Sequence, residues 1–240
     1  MKKKSFSIAG VLGTALVSQA AILTFDTGQA NNADLASNFG SNLSADIAGA
    51  NISNGATPNI GLTWAPSPDV WEIHGAATFS SVGDGKVAQM DLNGGEADST
   101  ITFSVDAGFT FQLNSLVIGH ASDQTEPDNT WTLTLTEVGG SQVFSHTTIA
   151  LGPGDTETVN FNFQGTTGTD YILKFDDGGA DHVRAGIDNL SFNQIPEPAS
   201  IGVLMQAGCC VLVVSSQIRI RHHILFQSLP AVFWGGFFVS

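Results

Sequence analysis

Cysteine is close to absent from this 240-residue chain: its two copies, Cys209 and Cys210, are adjacent and sit in an apolar run near the C-terminus. Neighbouring thiols in that position cannot staple the long segment ahead of them, so a folded domain there stands on its own hydrophobic core. No Cys/His spacing of the zinc type exists either; His74, His120, His146 and His182 are isolated in sequence and read as strand or surface residues. Basic residues are scarce, eight Lys and Arg against 22 Asp and Glu. Three of them, Lys2, Lys3 and Lys4, open the chain, and Arg219 and Arg221 follow the apolar run. Only Lys86, Lys174 and Arg184 remain between residues 21 and 194, among 21 acids, a formal charge of −18. That balance excludes nucleic acid as a partner, because phosphate binding needs the opposite sign. It fits a soluble exported surface or one that meets divalent cations. Also missing are a G-x-S-x-G elbow and, from residues 21–194, any nucleophilic cysteine.

What is present at the N-terminus reads as a secretory signal. Lys2 to Lys4 form a positive start, residues 6–17 are apolar but short for a bilayer span, and Ser18-Gln19-Ala20 supplies the small residues of a cleavage site. The expected signal peptide is residues 1–20, cut between Ala20 and Ala21; the alternative is an uncleaved N-terminal anchor.

From Ile60 onward the apolar period is two. "TWTLTLTEV" alternates Trp131, Leu133 and Leu135 with threonines, "TVNFNF" sets Val159, Phe161 and Phe163 against asparagines, and "STITFSV" does the same with Ile101, Phe103 and Val105. Turn clusters such as "SVGDGK", "EVGGSQ", "LGPGDTE" and "DDGGAD" separate these runs. One apolar and one wet face per strand predicts an all-β fold, an antiparallel β-sandwich or jelly roll over residues 21–194. Residues 34–50, rich in Ala, Ser and Asn, are compatible with a short helical turn or an irregular loop. The prolines of residues 193–198 predict a linker after the last strand.

Three groups could carry chemistry. Trp64 and Trp71, bracketed by Pro66 and Pro68, could form a sugar-stacking platform or pack in the core. Asp176, Asp177, Asp181 and Asp188 surround a Gly-Gly turn and offer oxygen ligands for calcium, although their spacing matches no calcium loop. Asp91, Asn93, Glu96 and Asp98 offer a second such cluster. Glu72, close to both tryptophans, is the acid a glycosidase reading would use, but with 21 acids available some carboxylate pair always qualifies.

The C-terminal part carries a resemblance. Ile195-Pro196-Glu197-Pro198 is followed by 18 uncharged residues, 199–216, from Ala199 to Ser216, and then by Arg219 and Arg221. As a helix the apolar run would be about 27 Å long, enough to cross a hydrocarbon core, and the arginines favour a cytoplasmic C-terminus. With the N-terminal signal and the β domain, this resembles the PEP-CTERM sorting signal over residues 195–223, and "RAGIDNLSF" resembles the last strand of jelly-roll domains similar to carbohydrate-binding modules. The resemblance implies an exported protein of a Gram-negative bacterium processed by an exosortase. Pro196, Glu197 and Pro198 would be the recognition residues, residues 199–216 a transient inner-membrane anchor, and Arg219 with Arg221 the basic stop. It also implies association with extracellular polysaccharide or biofilm at the cell surface. The apolar residues 224–240 depart from the pattern, since sorting signals end near a compact arginine run. A reading-frame shift after Leu204, or a second membrane segment, would account for them.

The resulting expectation is a sorted, non-enzymatic surface or matrix protein. The alternative is a carbohydrate-binding module, with calcium as an optional cofactor; a secreted glycoside hydrolase is the remaining reading.

Overall fold

The computed structural model describes residues 20–26, 30–66, 71–75, 77–79, 82, 85–91, 99–123, 128–178 and 184–197. The signal peptide (residues 1–19 of it), Asp181, Pro198, the apolar run, Arg219, Arg221 and residues 224–240 lie outside these. Thirteen strands are formed in the described part: β1 Ala21–Leu23, β2 Ala33–Asp34, β3 Ala50–Asn51, β4 Ile60–Ala65, β5 Trp71–Gly75, β6 Lys86–Asp91, β7 Ser99–Val105, β8 Phe109–His120, β9 Thr132–Glu137, β10 Gln142–Thr147, β11 Thr156–Gln164, β12 Tyr171–Asp176 and β13 Arg184–Pro196. Among the described residues no helix is long and apolar enough to cross a membrane.

The strands pair into two sheets. One has eight strands in the order β11-β8-β13-β6-β5-β2, with β1 joining β13 and β3 joining β1; the other has five, β10-β9-β12-β7-β4. Every register given for these pairs is antiparallel, as one-sided alternation requires. The inward residues of both sheets form one core, from Trp71, Ile73, Met90, Phe111 and Phe192 on the larger sheet to Trp64, Phe103, Leu133, Tyr171 and Phe175 on the smaller. Rings meet across the layer: Phe103 stacks on Phe111 at 4.5 Å, and Trp71 meets Phe175 edge-on at 5.7 Å. This shared core makes the fold a β-sandwich. The single tyrosine, Tyr171, is fully buried, and its hydroxyl accepts a hydrogen bond from the Thr166 N–H at 2.7 Å, so its polar end is satisfied.

Of the two forms the sequence left open for residues 34–50, the irregular one is found: turns and isolated bridges, with Leu35, Phe39 and Leu43 turned into the core. The expected linker begins later than predicted. Asn193 and Gln194 are buried strand residues, the Gln194 side chain accepts the Asn59 N–H at 2.8 Å, and β13 ends at Pro196. A proline at a strand end removes one ladder donor and no more.

Candidate binding surfaces

Trp64 and Trp71 do not form an exposed platform. Each is 1% exposed, and their rings pack edge-on at 4.9 Å inside the core. Both indole N–H groups are used by backbone carbonyls, Trp64 to Phe39 at 2.8 Å and Trp71 to Ala65 at 3.1 Å. The cause is strand parity: Trp64 shares a side with Ile60 and Leu62, and Trp71 with Ile73, all of them core residues.

Parity also separates Glu72 from the tryptophans. Lying between Trp71 and Ile73, it faces outward, where its Oε2 sits 2.9 Å from His74 Nε2. Register places Asp34, Glu72, Gln89 and Gly186 side by side across four neighbouring strands. Gln89 is buried, with no hydrogen-bond partner at its Oε1. A second, small apolar cluster covers the adjacent part of this outer face: Phe79, Val82, Val87 and Ala121. Phe79 lies over Gly186 and edge-on to His74 at 6.4 Å. The result is a carboxylate, an imidazole and an amide gathered beside a covered floor.

Of the four aspartates proposed for calcium, Asp181 lies outside the described residues, and Asp176, Asp177 and Asp188 are not grouped to hold a metal. Asp176 ends β12 on the outer side of the five-stranded sheet, where it accepts the Gly178 N–H at 2.9 Å and lies 3.5 Å from the Lys174 ammonium. Asp188 belongs to the other sheet and is fully buried, its two oxygens accepting the backbone N–H of Asn189 at 2.7 Å and that residue's side-chain amide at 3.0 Å. Asn189 takes a left-handed φ of 51°. This breaks the alternation, so that Ile187 and Leu190 both enter the core while Asp188 lies on the opposite side of the strand. Asp176 and Asp188 therefore sit on different sheets. Asp177 follows the end of β12, with its carbonyl oxygen 3.4 Å from the Asn129 amide. Among the described residues no three His, Cys, Asp or Glu side chains are grouped to hold a metal.

The outer face of the five-stranded sheet is a different kind of surface. Because Leu62, Ile101, Phe103, Leu133, Leu135, Leu173 and Phe175 point inward, their neighbours Thr63, Thr100, Thr102, Ser104, Thr132, Thr134, Thr136, Lys174 and Asp176 point outward. Strand pairing aligns them in rows that run across the sheet. One row is Thr63, Thr102, Ile172, Thr136; the next is Ala65, Thr100, Lys174, Thr134, Ser145; a third is Asp176, Thr132, Thr147. Neighbouring strands are about 4.8 Å apart, and successive outward residues of one strand about 7 Å. None of these side chains is buried. Thr132 and Thr147 bond each other at 3.2 Å, and Thr100 reaches the Ala65 carbonyl at 3.5 Å; Thr63, Thr102, Thr134 and Thr136 keep their hydroxyls for solvent or a ligand. Lys174 and Asp176 are the charged residues in these rows, and they face each other. The alternating threonines were legible in the sequence as a wet face; the rows required the register.

Of the sorting motif, Pro196 closes β13 and Glu197 follows it, while Ala20 precedes β1 and Ala21 is its buried first residue.

No protein-family model matches the chain, and no curated protein matches it. Several solved structures do. One is a CBM61 module in complex with β-1,4-galactotriose, 15% identical with a TM-score of 0.37, covering 57% of this chain and 88% of that one. A second, described as CBM4, is 16% identical with a TM-score of 0.33, covering 55% and 90%. A third is the apo form of a cyclase from Fischerella sp., 13% identical with a TM-score of 0.40, covering 74% and 98%. At such values these likenesses transfer neither a site nor an activity; the antiparallel sandwich rests on the strand pairing itself.

Proposed function

We propose that the domain is a non-catalytic polysaccharide-binding module whose binding surface is the hydroxyl-lined outer face of the five-stranded sheet, and that it belongs to an exported protein held at the cell surface. The observation that carries this is the charge distribution. A segment of formal charge −18 keeps one whole sheet face free of charge except for a lysine and an aspartate that face each other. The outer face of the other sheet, by contrast, sets Asp34 and Glu72 side by side. Threonine offers a polymer of sugars both a hydroxyl for its hydroxyls and a methyl for its C–H surfaces. A chain lying across the strands meets hydroxyls on β7 and β9 to either side of the central β12, which offers Ile172, Lys174 and Asp176 instead, and the strand step is close to the length of one pyranose ring. The sheet twist, about 20–25° per strand, fans the rows out, which suits a single flexible chain better than a crystalline polymer. Each hydroxyl contact nets about 0.5–1.5 kcal/mol, so one module on its own binds weakly, at about millimolar strength once association costs are met.

The test is binding of the full chain to a panel of soluble polysaccharides, with Thr102→Lys and Thr134→Lys placing charge in the middle of the face. Both variants should keep the wild-type circular dichroism spectrum and lose at least tenfold in binding. Unchanged binding in both, or its loss in Glu72→Gln instead, would move the site to the other sheet. Release of reducing sugar from any bound polymer would replace the module by a hydrolase. The sorting half of the proposal rests on residues 195–223 of the sequence. It is tested by comparing the mass of the exported protein in cells with and without an exosortase gene.

A further inference from the structure

We infer that Asp176 is a specificity-determining residue of the threonine face, which it reserves for uncharged polysaccharides by masking Lys174. The inference rests on the binding surface proposed above and names the class of polymer that surface takes. Lys174 stands at the centre of the face. It lies on β12, the middle strand of five, with Thr100 beside it on β7 and Thr134 beside it on β9. It is also one of three basic residues between residues 21 and 194, and the other two, Lys86 and Arg184, belong to strands of the other sheet. A polymer laid along this row meets a cation halfway across.

Asp176 cancels that cation. Two residues further along the strand, it points to the same side of the sheet, and its Oδ2 lies 3.5 Å from the Lys174 ammonium. Its Oδ1 accepts the Gly178 N–H at 2.9 Å, in a turn where Gly178 takes a φ of 71°. The carboxylate is thus held by the backbone as well as by the lysine. Both side chains are partly exposed, 37% for Lys174 and 42% for Asp176, so a polymer on the face can reach them, and the pair itself adds little stability.

The surrounding charge then selects the polymer. Five strands span four spacings of about 4.8 Å, about 19 Å in all, or roughly one sugar ring per spacing. A polyuronate would set about four carboxylates across that width. Against them stands one cation that Asp176 already neutralises, on a segment of formal charge −18. Charges of like sign within one or two Debye lengths repel, so such a polymer is turned away. A cationic polymer would be drawn to the acids elsewhere on the surface and gains nothing from this face. An uncharged polymer is penalised by neither sign and still finds the hydroxyls of Thr63, Thr102, Thr134 and Thr136.

The experiment uses the full chain and immobilised neutral glucan, galactan and mannan, each also oxidised at C6 to its polyuronate. The wild-type chain should bind a neutral polymer and bind the polyuronate made from it at least about tenfold more weakly. Asp176→Asn keeps an oxygen for the Gly178 N–H and unmasks Lys174. At about 0.01 M salt it should lower the preference for the neutral polymer over its polyuronate about threefold, the scale of one exposed charge pair. That change should vanish at about 1 M salt, and also when Lys174→Met is added to Asp176→Asn. Equal binding of a polyuronate and its parent by the wild-type chain, or an unchanged preference in Asp176→Asn, overturns the inference. Failure of the surface itself gives a different result: no neutral polymer binds, or those that do stay bound by the Thr102→Lys and Thr134→Lys chains, and the inference falls with it.

Discussion

Replacing Trp64 by alanine separates a core residue from a binding residue. Its indole is 1% exposed, meets Phe25 at 5.9 Å and Trp71 at 4.9 Å, and donates to a carbonyl of a chain segment 25 residues away. Truncating a buried tryptophan costs about 3–5 kcal/mol in lost transfer energy and residual cavity. Leaving the Phe39 carbonyl without its donor adds about 1 kcal/mol. The sum, about 4–6 kcal/mol, is a large share of the 5–15 kcal/mol typical of a whole domain. It corresponds to a fall in Tm of roughly 10–20 °C at this domain size. Trp64→Phe keeps a ring in the site and should lose about half as much. The assay is urea denaturation followed by far-ultraviolet circular dichroism, with polysaccharide binding measured on the fraction that stays folded. That binding should be unchanged. A Trp64→Ala chain that loses less than about 1 kcal/mol of stability yet no longer binds polysaccharide would refute the reasoning and restore the indole to the surface.

Gly119→Ala tests the small apolar cluster outside the main core. A Cβ there would overlap Val82 Cγ2 and lie 2.9 Å from Thr156 Cγ2 and 3.0 Å from the Asp155 carbonyl. It should cost about 1–3 kcal/mol, read as a lower Tm, because a backbone oxygen bounds the space on one side. Glu157→Ala removes the acceptor of both His146 and the Ile149 N–H at the open side of the sandwich. The pair is partly exposed, so the loss should be about 1 kcal/mol by urea denaturation, with Glu157→Gln recovering part of it.

The sequence by itself determined the class of fold. Strict alternation in "STITFSV", "TWTLTLTEV" and "TVNFNF" fixes which side of each strand is apolar, and with almost no cysteine the fold rests on that apolar side. The charge balance and the threonine periodicity were equally legible, because both are properties of single segments. Sequence proximity misled wherever a site was assembled from neighbours in the chain. Trp71 and Glu72 are adjacent, yet adjacent strand residues face opposite ways, so one entered the core and the other met His74. Asp176 and Asp188 flank one loop, yet the strands on its two sides belong to different sheets. Only tertiary structure decided which strands become neighbours, and with them the rows of Thr63 with Thr102 and of Thr134 with Ser145. Pairing partners are set by which long-range register buries both apolar faces at once, and that is a property of all the strands together.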